Sequence, residues 1–497
     1  MIKEYIKDLS RNSIYYGLGT GIRRFFSIFT APIMTRIFTP TDYGVISLVS
    51  TTVAFVGMII TLGISAGIFR HYYETEEHDR KRLLFSGIIS QTIIIGSIIA
   101  IIFLFIEWIS IELFNTDQYA YILKLALVQL FIVELFEHFM TLLRFQKKPQ
   151  LFLKISSIQI ALNLFFLLFY VAYLKLGIPG VYYGIITAYS IPLSILVLKQ
   201  HKYYSLSLDL KYVKQCLLFS VPLIPGWFVN MYLARSNKFF LQSFHSLDQV
   251  GLFSISEKIA GIVALFMTVF FMAWNPMSME LINQKSKHHL YDSIGRLFLF
   301  CSSVLVLGIT YFAKEVLIIL TTENYYSAYK YAGLIAFGTM TFYLNYFLGQ
   351  GIIIAKKTAY QSLARLFGAL VATILFVKLI PDYSGYGATI GTIAGYATAS
   401  LLMIIISDRL YHIPFDLKRI AMAYIVTLSM IIGYLISSTE NTKLAFIPIA
   451  VKVGVFAIST VIVAGITFNS VERKKIYTYI NEVLKLSKWV ILFKNSR

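Results

Sequence analysis

Charge is scarce in this chain, and negative charge scarcer still. Of 497 residues only 14% are charged, against about 25% in a soluble domain, while 57% are hydrophobic and the mean hydropathy is +0.71. Such a composition excludes an ordinary soluble fold and implies an integral membrane protein. Asp and Glu number 25 against 44 Lys and Arg, a formal net charge of +19. The basic residues come in small groups between apolar stretches, not on one face, so nucleic acid is excluded as a partner and the anionic membrane lipids are the expected one. Two cysteines, Cys216 and Cys301, each in an apolar setting, exclude a disulfide framework and a metal site. No GxxxxGK[ST] loop occurs, which argues against ATP as the energy source, and no cofactor is expected. The opening "MIKEYIKDLSRNS" lacks a short apolar core with a small-residue cleavage site, so the first apolar segment is expected to remain as a helix.

Lipid-compatible runs are what the chain has in abundance. A helix needs about 20 apolar residues to cross a bilayer, and about fourteen such runs are expected. Six fall between Ser13 and Leu198 and six between Cys216 and Ser407, with a final pair at Leu417 to Ile436 and Leu444 to Phe468. The second and seventh, Asp42 to Phe69 and Cys216 to Leu241, read as single helices. Alternate connections hold roughly 31 of the 44 basic residues and the opposite ones about 5, so the positive-inside rule places both termini in the cytoplasm of a multi-pass protein. The tail after residue 470 mixes basic and apolar residues at helical spacing, as in a helix lying along the inner leaflet.

The chain also repeats itself. "TDYGVIS" from Thr41 returns as "DQVGLFS" from Asp248, with Gly44 matching Gly251 and Ser47 matching Ser254. "GVYYGIITAY" from Gly180 returns as "GATIGTIAGY" from Gly387, matching Tyr189 to Tyr396. Every match has an offset of 207, the difference between 251 and 44. A repeat of six helices keeps one orientation, which predicts two lobes related by an axis along the membrane normal, with a central cavity between them. The expected division is an N-terminal lobe over 1–205, a C-terminal lobe over 206–412, an extra helix pair over 413–470 and a cytoplasmic amphipathic tail over 471–497.

"APIMTRIFTPTDYGVISLVS" from Ala31, "TLGISAGIFRHYYE" from Thr61 and "SVPLIPGWFVNMYLARSNKFFLQSFHSLDQVGLFSISEKIA" from Ser220 carry a further resemblance. They resemble the signatures of the polysaccharide and O-antigen flippases of the multidrug/oligosaccharidyl-lipid/polysaccharide (MOP) exporter superfamily. Where that second-lobe signature usually carries an Asp-Arg pair, this chain reads Asn237 and Lys238: the cation is kept and the carboxylate is lost.

Charges inside apolar helices are costly and therefore informative. Arg23 lies about 18 Å into the first helix, on a polar stripe with Tyr16, Thr20, Ser27 and Thr30, and Arg24 is turned about 100° from it. Either arginine lines a cavity or ties helices together. In the seventh helix Arg235 and Lys238 share a face, and the prolines of "VPLIPGW" permit bending there. Lys258 and Glu257 follow in the eighth. Glu134, Glu137 and His138 in the fourth helix, like Glu257, read either as ion-coupling groups or as counter-ions. A cavity lined by Arg23, Arg24, Arg235, Lys238 and Lys258 calls for an anionic guest, and a diphosphate on a polyprenyl chain fits guanidinium and ammonium groups.

The resemblance implies a flippase, not an enzyme: one that carries lipid-linked oligosaccharide repeat units to the outer leaflet by alternating access, driven by membrane potential or an H+ or Na+ gradient. It implies residence in the bacterial cytoplasmic membrane, with a polysaccharide polymerase and glycosyltransferases as neighbours in the pathway. Alternatives are a flippase for the lipid-linked peptidoglycan precursor, a cation-coupled drug exporter of the same superfamily, and a polysaccharide polymerase. A drug exporter handles cationic guests that a cationic cavity repels. A polymerase needs catalytic groups outside, whereas the longest outer connection, Glu107 to Gln118, holds no His, Lys or Arg.

Overall fold

The computed structural model describes residues 30–205, 207–282, 289–437, 446–470 and 472–473, which are helical almost throughout. The first helix described is residues 30–37, here α1; Arg23 and Arg24 lie outside the described residues. There follow α2 (Pro40–Ile60), α3 (Ile64–Tyr72), α4 (Arg80–Leu104), α5 (Ile106–Phe114), α6 (Ala120–Phe145), α7 (Pro149–Leu167) and α8 (Gly177–Gln200). The second half holds α9 (Leu210–Ser220), α10 (Ile224–Arg235), α11 (Asn237–Phe244), α12 (Leu247–Leu281), α13 (His289–Leu320), α14 (Tyr329–Leu348), α15 (Gln350–Ile354), α16 (Ala359–Tyr383) and α17 (Gly385–Leu410). The last pair is α18 (Leu417–Ser437) and α19 (Phe446–Thr467).

Among the described residues eleven helical segments are long and apolar enough to cross a bilayer. Two more helices of spanning length, α6 and α14, pack inside the bundle, α14 burying fourteen of its 20 residues. Two of the expected single spans are interrupted. The second breaks between α2 and α3 where Leu62 and Gly63 take left-handed φ values of 47° and 62°. The seventh is pinched by a 3-10 turn at Val221–Leu223, around the proline that removes a backbone donor. It turns again at Ser236, between α10 and α11.

α2 and α12 form the central seam. Leucine is no more apolar than lipid, so helices in a bilayer associate where small residues admit close backbones. Gly44 faces the Leu247 carbonyl and Gly251 faces the Pro40 carbonyl; a Cβ at either glycine would stand 2.0 Å from that oxygen. At one end of the seam Thr41 bonds Asp248, and Tyr325 donates to the Phe38 carbonyl at 2.8 Å. At the other end α3 packs on α9: Gly67 lies against the Cys216 backbone, and Ser220 donates to the Leu62 carbonyl at 2.7 Å.

The α18–α19 pair is fastened to α13 by a buried arginine. Arg296 donates from Nε to Asp292 at 2.8 Å, from Nη1 to the Thr467 carbonyl at 3.0 Å, and through both Nη atoms to Glu472 at 2.6 and 2.8 Å. "NSVE" from Asn469 makes a capping box, with the Glu472 N–H donating to the Asn469 side chain and the Asn469 N–H to Glu472, each at 2.8 Å. Glu315 and Lys452 pair α13 with α19 further along.

Candidate functional site

A cavity of about 790 Å³ opens beside the seam, walled by α1, α2, α7, α8, α10 to α12, α14 and α17. The seventh span brings three polar residues to it: α10 ends on Arg235 and α11 begins with Asn237 and Lys238, all three lining the cavity. One helix on, α12 presents Ser254, Glu257 and Lys258.

Lys238 is the best-held cation. Its side chain is only 6% exposed and its Nζ lies 2.6 Å from Glu257, so a cation that would be costly alone is paired. Its Nζ also donates to Ser47 Oγ on α2 at 3.0 Å, and Ser254 Oγ donates to the same Ser47 at 2.6 Å. The carboxylate missing at position 237 is thus replaced from another helix, while Asn237 donates to Thr392 Oγ1 at 3.3 Å. Lys258 Nζ stands 5.0 Å from the ring centre of Tyr43, a cation–π arrangement. Arg235 is exposed to the cavity and has no ion-pair partner among the described residues. The charged residues lining the cavity among those described are three cations and one carboxylate, a net +2. The remaining polar wall is neutral: Ser50, Asn163, Thr339, Thr389 and Thr392 offer hydroxyl and amide groups.

The four C-terminal-half residues singled out from sequence, Arg235, Lys238, Glu257 and Lys258, therefore meet in one cavity. Glu134, Glu137 and His138 do not join them. They sit on α6, where His138 is buried beside a small cleft with Ser65, Ile68 and Thr141. The sequence reading passed over Tyr43, Ser47, Ser254 and Tyr396 as site residues. The signal was present, because Ser47, Ser254 and Tyr396 are positions of the 207-residue match.

A family model described as polysaccharide biosynthesis protein matches residues 9–282. No curated protein matches the chain in sequence. Among solved structures, the lipid II flippase MurJ in an inward closed conformation superposes with a TM-score of 0.72 at 15% identity, over 91% of this chain and 99% of that one. A MOP superfamily transporter from Pyrococcus furiosus gives 0.56 at 15% identity, over 81% and 95%. A mutant of the Vibrio cholerae MATE transporter VcmN gives 0.52 at 13% identity, over 81% and 96%. The fold is that of the MOP transporters, and these neighbours are transporters and flippases, not enzymes.

Proposed function

The chain belongs to the polysaccharide biosynthesis protein family, and on that premise we propose that it is a flippase. Its substrates are polyprenyl-diphosphate-linked oligosaccharide repeat units, moved from the cytoplasmic to the outer leaflet for cell-surface polysaccharide. The observation that carries this reading is the net +2 cavity, with Arg235 unpaired among the described residues and facing into it. A diphosphate diester carries two negative charges and accepts bidentate hydrogen bonds from a guanidinium. The hydroxyl and amide wall suits the sugar, and the apolar tail can stay in lipid.

In this reading residues 1–205 and 206–412 act as two lobes, with 413–470 as an accessory pair and 471–497 as a cytoplasmic tail. The seam end at Thr41 and Asp248 faces outward, and the α3–α9 contact faces the cytoplasm of a bacterial cell. Alternating access then breaks one contact while the other holds, with an ion gradient or the membrane potential as driving force. Arg23 and Arg24 belong to the same diphosphate site; Glu134, Glu137 and His138 are assigned to ion coupling or charge balance away from it.

Removing the protein from its cell is expected to leave sugar assembly intact while lipid-linked repeat units accumulate on the cytoplasmic side. Single repeats on the outer surface would point to a polymerase instead. A second reading, a flippase for the peptidoglycan precursor, is favoured by the likeness to MurJ. It requires that loss of the protein halt wall synthesis, not surface polysaccharide.

A further inference from the structure

Arg296 and Lys314 are buried cations outside the cavity, and Arg365 is another. Arg365 on α16 is 8% exposed, its Nε has no hydrogen-bond partner, and no carboxylate pairs with it among the described residues. Its guanidinium carbon stands 5.7 Å from the ring centre of Tyr346 on α14. The preceding residue, Asn345, is 1% exposed and its Nδ2 likewise lacks a partner among the described residues, its Oδ1 being engaged by Ser400. Two buried donors, one of them charged, thus lack an acceptor, and leaving them so is costly.

The position is informative. The Tyr346 ring lies 6.1 Å from that of Tyr343, which lines the cavity, so Arg365 is one aromatic layer from the proposed substrate space. Tyr396, also in the cavity wall, is within electrostatic reach of both Glu257 and Arg365. Arg365 is the seventh residue of α16, near the end that the charge count assigns to the cytoplasm.

We infer that Arg365 is a phosphate-binding station that takes the phosphate of a lipid on the cytoplasmic approach to the cavity. This rests on the flippase reading. Two lipids carry that chemistry, the prenyl diphosphate of the substrate in transit and a resident phospholipid headgroup.

The test uses the full-length protein in phosphatidylcholine nanodiscs with farnesyl diphosphate as probe, measuring Kd and association rate, and native mass spectrometry to count retained phospholipids. R365Q is expected to weaken probe binding about tenfold or more and to slow association, with R365K in between. An unchanged probe Kd with one fewer retained phospholipid assigns the phosphate to a headgroup. If R365Q folds and neither quantity moves, the inference is overturned. Should R365Q fail to fold, R365K decides, because losing the planar fork must still weaken one of the two. If wild-type protein does not bind the probe, the flippase reading falls first, and the phospholipid count then decides Arg365 by itself.

Discussion

Ser47 and Ser254, 207 residues apart in the chain, are joined by a hydrogen bond of 2.6 Å. The same separation links Thr41 to Asp248. The glycines obey a reciprocal form of it: Gly44 meets Leu247 while Gly251 meets Pro40, and each partner is the other's equivalent at the same offset. Residue i meeting j while j's equivalent meets i's is how a two-fold interface behaves. Here it occurs within one chain. Because Lys238 also bonds Ser47, the seam and the charged cavity share a residue, so changing the ligand of Lys238 is felt at the contact between α2 and α12.

The first prediction uses that contact. With Cys216 and Cys301 replaced by alanine, Ser47→Cys combined with Ser254→Cys is expected to form a disulfide on oxidation, the two side chains already touching. Transport should stop and return with reductant, followed by gel shift and by substrate appearing outside. Normal transport by fully cross-linked protein would mean that the seam never opens.

The glycine pair gives a second. Gly44→Ala and Gly251→Ala each set a Cβ 2.0 Å from a backbone oxygen, so the helices must move apart. Each is expected to lower stability by about 1–3 kcal/mol, seen as a lower Tm in detergent. The two effects should match in size. A clear inequality would show that the two glycine contacts are not equivalent.

How much of this was legible in sequence depended on what lipid makes expensive. Apolar runs announced the helices because a bilayer leaves the backbone few other options. The charges at Arg235, Lys238, Glu257 and Lys258, each costly in hydrocarbon, marked residues that line one cavity. The bend at Val221–Leu223 was visible in its prolines, whereas the break at Leu62 and Gly63 was not, since the apolar composition runs straight through it. Helical spacing put Glu134, Glu137 and His138 on one face of α6. It could not say which neighbour that face meets, and the answer is not the cavity. Tyr43 and Ser47 are neutral, and nothing in their cost marked them.

A third prediction concerns pH. The Arg296 guanidinium bonded to Glu472 holds that carboxyl below its ordinary value of 4.5. A depressed carboxyl contributes stability that is present above the ordinary value and is lost as pH falls through the folded one. Glu472→Gln should therefore lower the Tm at neutral pH, and the gap from wild type should close as pH falls below 4.5. A gap that stays constant in acid would show that the Arg296–Glu472 charge pair does not stabilise the docked α18–α19 pair.

Orientation is tested separately. Asn115 is exposed at the end of α5 and Lys357 is exposed just before α16. In an otherwise cysteine-free chain, Asn115→Cys should react with an impermeant thiol reagent outside intact cells, and Lys357→Cys only after permeabilisation. The reverse pattern inverts the protein and would make the proposed outer gate an inner one.

The last prediction separates charge from shape at Arg235. It faces the cavity with no ion-pair partner among the described residues, so replacing it strands no paired carboxylate there. Arg235→Lys keeps the charge but loses the bidentate fork, and should retain part of the transport. Arg235→Glu takes the net +2 lining to zero and is expected to abolish transport while leaving the protein inserted and its Tm nearly unchanged. Glu257→Gln is the contrasting case, because it leaves the buried Lys238 without its 2.6 Å partner. That change should lower stability by about 1–3 kcal/mol and free Lys238 for an anion, tightening diphosphate binding. The two variants thus move stability and affinity in different combinations. A well-inserted Arg235→Glu protein that still exports at the normal rate would end the diphosphate assignment of this cavity, whatever the fold resembles.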